Sequence, residues 1–138
     1  MLFVLDSNQF IFALGSDPRP SCVVLLDTLI DSWPRHRIII PQLVVEEVRR
    51  NLSPAAFREF MALTEEFIKI KPDSVVPFSL GSEYESRGLK PADSLIGAFT
   101  EFVRADSLVT GNRHFLARQP GLPFKILSTE KCLELLKT

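Results

Sequence analysis

Cysteine, histidine and the larger aromatics are scarce in this chain. Its 138 residues include two Cys, two His, one Tyr and one Trp. Cys22 and Cys132 are too few for a disulfide framework and lack metal-ligand spacing, so they read as reduced core thiols of a cytoplasmic protein. An excess of either charge is also missing: 16 basic residues stand against 17 acidic ones, for a net charge of −1. That near-balance, with no polybasic tail, excludes a protein that grips long duplexes by charge alone. No apolar run approaches the roughly 20 residues of a membrane span. Met1 to Leu5 carries no basic leader and meets Asp6 at once, which predicts a soluble protein made without export and without a membrane partner.

What is present is an ordinary globular balance, 46% hydrophobic and 24% charged. That is enough apolar material for one compact domain over residues 1–138 with a core that needs no staples. Apolar runs predict strands over 2–5, 37–40, 107–110 and 124–127. Helical spacing predicts segments over 9–14, from 21 onward under a Ser21 cap, over 43–52, over 53–68 with Ser53 as cap and Pro54 at its first position, and over 82–87 ending at Gly88. Pro91 to Arg104 has the strongest helical pattern, with Leu95, Ile96, Phe99, Phe102 and Val103 expected on its buried stripe. Short helices follow over 111–116 and from the Ser128-Thr129 cap to Leu136. Lys71-Pro72-Asp73 reads as a turn, and residues 75–80 fit neither pattern. Strand and helix alternate throughout. The expected fold is α/β: three layers, α/β/α, around a central parallel sheet of four to five strands.

In such sheets ligands bind at the carboxyl ends of the strands. Asp6 directly follows the first strand and Asn112 closely follows the third, so the two converge on one edge. Asp6 also suits the cap of the helix behind it, and both readings stand. On the helix after Pro41, Val44, Val45, Val48 and Leu52 form the apolar stripe. Glu47 borders that stripe more closely than Glu46, whose Arg49 and Arg50 neighbours suit a surface pairing. Asp93 aligns with Gly97 and Thr100, small residues that leave room for a ligand or another backbone beside the acid. Glu47 as a solvated face residue, and Asp93 as a first-turn acid favoured by the helix dipole, are the competing readings. Carboxylates gathered at one edge raise one another's pKa unless a cation joins them. No Lys or Arg is placed to do so, which points to an oxygen-ligated divalent ion, Mg²⁺ or Mn²⁺, that makes a nucleophile from water and holds a phosphate. The chemistry implied is phosphodiester hydrolysis.

Four segments occur together: Phe3-Val4-Leu5-Asp6-Ser7-Asn8, Pro41-Gln42-Leu43-Val44-Val45-Glu46-Glu47-Val48, Pro91-Ala92-Asp93-Ser94-Leu95-Ile96 and Leu108-Val109-Thr110-Gly111-Asn112-Arg113-His114-Phe115. In this order they resemble the PIN-domain ribonucleases, including the VapC-like toxins of toxin–antitoxin pairs, over nearly the whole chain. The resemblance implies a Mg²⁺- or Mn²⁺-dependent ribonuclease with Asp6, Glu47 and Asp93 as ligands. It also implies Ser7 and Thr110 as accompanying hydroxyls, RNA as substrate, and an antitoxin and a second copy of the chain as partners. Asn112 stands where many relatives carry Asp; it is expected in the catalytic set as a ligand through its carbonyl oxygen. Asp106 matches an acid of some relatives and is expected to compensate as a metal ligand. Arg113 is expected to position substrate, and Arg49, Arg50, Arg113 and Arg118 form a possible RNA-binding rim, although scattered arginines are ordinary surface. His114 reads as a phosphate-contacting or loop residue, and His36 as solvated. A binding module that has lost catalysis is the alternative that Asn112 motivates. A haloacid-dehalogenase-type phosphatase is disfavoured because Asn8 stands where a second Asp is required.

Overall fold

The computed structural model describes residues 1–117 and 120–137. Arg118, expected on the basic rim, lies outside the described residues. The described chain forms β1 (Leu2–Leu5), α1 (Ser7–Leu14), α2 (Pro20–Asp31), β2 (Arg37–Pro41), α3 (Gln42–Asn51), α4 (Pro54–Glu66) and β3 (Ile68–Lys71). A 3-10 turn (Asp73–Val75) follows, then α5 (Phe78–Glu85), α6 (Pro91–Phe102), β4 (Ser107–Val109), α7 (Arg113–Leu116), β5 (Lys125–Leu127) and α8 (Thr129–Leu136). The five strands are all parallel, in the order β3-β2-β1-β4-β5. Helices cover the sheet, giving a three-layer, PIN-like α/β/α arrangement.

β1 lies at the centre with neighbours on both sides, and Phe3, Val4 and Leu5 are all buried. This is why it reads as an unbroken apolar run: a strand covered on both faces has no polar side. Ile38, Ile39 and Ile40 of β2 are buried for the same reason. β3 and β5 are the edge strands, and the Ile-Lys-Ile-Lys alternation of β3 belongs to a strand with one face toward solvent. Sequence spacing assigned its first residue to a helix and its last to a turn. Register shows the difference, because Ile38 pairs with Ile68 and Pro41 with Lys71.

Helix starts follow local chemistry. Ser53 caps α4 through Ala56 N–H and Ser128 caps α8 through Lys131 N–H, both as expected. Ser21 does not cap α2; the helix starts one residue earlier, with Pro20 in the first turn and Arg19 at the cap. Pro41 ends β2 and offers no side-chain cap to α3. The distant Asp73 fills that role, its Oδ1 accepting from Leu43 N–H at 2.9 Å. Residues 75–80 resolve into the end of the 3-10 turn and the start of α5. α6 ends at Phe102, which is 43% exposed rather than on the buried stripe. The deeply buried face of α6 instead includes Ser94, Gly97 and Thr100. Gly97 is where Tyr84 of α5 packs: a Cβ there would stand 2.7 Å from Tyr84 Cδ2. The row of small residues along α6 thus admits an aromatic ring. Cys22 and Cys132 are free and buried, and burial pushes the Cys132 thiol up to about 12.

Candidate active site

The chain leaves β1 for β2 on one side and later returns to β4 on the other, so the crevice at the carboxyl ends of β1 and β4 is a topological switch point. Asp6 and Thr110 sit at its floor. Asp6 N–H donates to Val109 O at 2.9 Å, which extends the β1–β4 ladder by one residue and fixes where the acid emerges. Asp6 Oδ1 accepts from Ser7 N–H at 2.8 Å, so the residue also caps α1 as its second reading required. Oδ2 accepts from the Thr110 hydroxyl at 2.7 Å, with Asn8 Nδ2 farther off at 3.5 Å. Thr110 Oγ1 in turn accepts from Asn112 N–H at 3.0 Å.

Asp6 is 5% exposed, and its partners are neutral. Burial raises its pKa and the charge of Asp93 adds to the rise; the Thr110 and Ser7 hydrogen bonds offset this only in part. Glu47 is raised too, first by burial and then by the charge of Asp6, against smaller relief from Ser7 and Arg50. Its Oε1 is buried with no hydrogen-bond partner, the one such side-chain atom among the described residues. Glu46 shows the opposite behaviour. It is paired with Arg49 at 2.6 Å, and that guanidinium lowers its pKa. The charge of Asp93 thus acts on both Asp6 and Glu47 and that of Asp6 on Glu47, and no Lys or Arg forms an ion pair with these acids among the described residues.

Asn112 joins this group in an unexpected way. Its Oδ1 accepts from His114 N–H at 2.9 Å and caps α7, so the oxygen expected to ligate is already engaged. Its Nδ2 donates to Asp93 Oδ2 at 3.1 Å. Both contacts require the same amide orientation, since one partner is an N–H and the other a carboxylate. Asp106 is a correction. It precedes β4 and so stands at the opposite end of the sheet, four residue steps or roughly 13 Å along the strand from the level of Asp6. Its Oδ2 accepts from Leu2 N–H at 2.7 Å. Ser7 is buried beside Asp6, whereas Arg113 and His114 are exposed on α7, and Arg49 and Arg50 are exposed on α3. His36 is half-buried at the amino end of the sheet, edge-on to Phe3 and 3.1 Å from the N-terminal ammonium, rather than simply solvated.

Sequence reasoning passed over Asn8 and Gln9. Asn8 Oδ1 accepts from Gly111 N–H at 3.2 Å and from Gln9 Nε2 at 2.8 Å, tying the two loops that carry Asp6 and Asn112. Gln9 is buried and its Oε1 accepts from Thr129 at 2.8 Å. A polar pair directly behind a strand-end acid was the available signal.

Among the described residues, no group of three or more His, Cys, Asp or Glu side chains is gathered closely enough to hold a metal ion together. The donors nevertheless suit a hard cation that keeps much of its water. Magnesium is commonly held by one or two carboxylates with water completing its shell. An unpartnered carboxylate oxygen beside a second acid of raised pKa is the environment such an ion relieves.

No family model and no curated protein matches the chain. Solved structures do. The chain is similar to one in the crystal structure of VapBC2 from Rickettsia felis bound to a DNA fragment from their promoter, with TM-score 0.64 and 21% identity over 93% of this chain and 98% of that one. It is also similar to a chain of VapBC-1 from nontypeable Haemophilus influenzae, with TM-score 0.65 and 15% identity over 95% and 100%. A chain of FitAcB from Neisseria gonorrhoeae gives TM-score 0.60 and 17% identity over 93% and 98%. At these identities the likeness is one of fold, and it agrees with the PIN-domain resemblance carried by the four sequence segments.

Proposed function

We propose that this single-domain protein is a Mg²⁺- or Mn²⁺-dependent endoribonuclease that hydrolyses phosphodiester bonds of single-stranded or structured RNA. The observation that carries the reading is Glu47 Oε1, buried without a partner on a carboxylate that also feels the charge of Asp6. Asp6, Glu47 and Asp93 are the residues to hold the ion. Such an ion supplies water activation and a positive seat for the phosphate. Thr110 and Ser7 position the Asp6 carboxylate, Asn112 holds Asp93 and the start of α7, and Arg113 faces the substrate side. Near-neutral net charge is compatible with this, because the ion restores positive charge where phosphate must sit.

The fold likeness to chains of VapBC and FitAcB structures supports a role as the toxin of a toxin–antitoxin pair, with an antitoxin protein as partner. A second copy of this chain as partner and a cytoplasmic location are further expectations that rest on the family resemblance and the sequence. No helix of the described residues is long and apolar enough to cross a membrane. The test is cleavage of single-stranded RNA by purified protein with Mn²⁺. Cleavage lost in both Asp6→Asn and Asp93→Asn supports the assignment; cleavage unchanged in both defeats it.

A second reading has one observation in its favour. The Asn112 amide already donates to Asp93, a contact that satisfies part of the site without a metal. A binding module that has lost catalysis would show no Mn²⁺ uptake at millimolar metal by calorimetry, whereas the nuclease reading requires uptake.

A further inference from the structure

A second cleft, of about 410 Å³, adjoins the acids and runs over α1 toward the start of α8. It opens at Asn8 and Gly111, the two residues that tie the Asp6 and Asn112 loops together. Two arginines line it, Arg19 and Arg113, both exposed. Neither has an ion-pair partner among the described residues, where the Arg49–Glu46 pair stands alone. The cleft's described lining carries a single carboxylate, Glu130. Arg19 is also held in place: its guanidinium carbon lies 3.7 Å from the centre of the Phe12 ring, and its N–H donates to Phe12 O at 2.7 Å. A guanidinium seated over a ring face is attracted there without using up its N–H donors, and that planar fork matches the oxygens of a phosphate.

We infer that Arg19 and Arg113 bind a backbone phosphate flanking the scissile one, so that this cleft carries the substrate strand past the acids. The inference rests on the phosphodiesterase reading and adds a direction to it. The strand passes over α1 toward α8, on the Asn8–Gly111 side of Asp6. One stacked arginine and one helical arginine in a narrow cleft suit a single strand, and the near-neutral surface offers no long basic track for a duplex.

The experiment is fluorescence anisotropy with a labelled RNA dodecamer across a salt series, with Ca²⁺ in place of Mg²⁺ or Mn²⁺ so that the strand stays uncut. Arg19→Ala is expected to weaken binding about fivefold to tenfold at low salt and to flatten the log–log salt slope by about 0.7, the loss of one phosphate contact on a single strand. Arg37→Ala, an equal charge change at the amino end of β2, is expected to leave affinity and slope unchanged. If the wild-type protein binds and Arg19→Ala matches it in both readouts, the cleft assignment is wrong and the nuclease reading survives. If Arg37→Ala weakens binding as much as Arg19→Ala, the effect is net charge and the cleft assignment is again wrong. If the wild-type protein binds no strand even at low salt, the reading of RNA as substrate fails and takes the inference with it.

Discussion

The two ends of the sheet use the same residue type in opposite ways. At the amino end Asp106 is exposed to solvent and bound to its neighbouring strands. Its carboxylate accepts from Leu2 N–H, its own N–H donates to Leu2 O at 2.8 Å, and its carbonyl accepts from Lys125 N–H at 3.1 Å. The N-terminal ammonium beside it is likewise satisfied by Arg35 O at 3.0 Å and His36 Nδ1 at 3.1 Å. At the carboxyl end Asp6 accepts only from neutral donors and Glu47 has an orphaned oxygen; burial raises both pKa values, with the charge of Asp93 adding to the rise at Asp6 and that of Asp6 at Glu47. An acid before a strand staples the sheet; an acid after one is kept unneutralised. Burial of neighbouring acids without a counter-ion, rather than the mere presence of acids, marks the functional end.

The contrast can be broken by exchanging the fates of the two acids. Asp6→Asn should reduce Mn²⁺-dependent RNA cleavage to background, while Asp106→Ala keeps cleavage and lowers unfolding free energy by about 1 kcal/mol through one lost hydrogen bond. Retained cleavage in the first variant, or lost cleavage in a folded second one, reverses the assignment. Thr110→Val removes the hydroxyl that links Asp6 to Asn112 N–H, and activity should fall roughly 10- to 100-fold as for other outer partners of a metal ligand. Single-turnover rates read this directly. Gly97→Ala drives a Cβ against the Tyr84 ring and should cost about 1–3 kcal/mol in denaturant unfolding. Because α6 also carries Asp93, a measurable loss of activity should accompany it.

The smallest effect concerns pH. Folding raises the pKa of Glu47 above its ordinary value of 4.5, so the folded state holds this proton more tightly than the unfolded one. Its destabilising contribution is absent below about that value, grows as pH rises toward the folded pKa, and is complete above it. Glu47→Gln should therefore raise the thermal midpoint at neutral pH and leave it unchanged in acid. An equal shift at both pH values would show that the carboxylate's charge is not the cause.

Much of this was legible in the sequence because burial leaves a strong imprint. β1, β2 and β4 are covered strands and read as apolar runs, and Asp6 is unmistakable as the first polar residue after one. Glu47 could be separated from Glu46 because the Val44–Val45–Val48 stripe fixes the orientation of α3, and the Arg49 pair then accounts for Glu46. What failed was long-range. The alternation of β3 is only four residues long and follows a helix directly, so its spacing merged with α4. Phe102 falls at the last turn of α6, where periodicity no longer tells which neighbour is present. Asp106 was misplaced because proximity to a strand does not by itself say which end of the sheet a residue occupies. Asn112 has the right position, but the competing demand of capping α7 for its oxygen becomes visible only once His114 N–H and Asp93 are placed around it.

Manganese calorimetry on four proteins at neutral pH tests the comparison most directly: the wild type, Asp6→Asn, Glu47→Gln and Asp106→Ala. The account predicts uptake by the wild type and Asp106→Ala, loss in Asp6→Asn, and weakening in Glu47→Gln. No uptake by the wild type, or equal uptake by wild type and Asp6→Asn, would contradict it.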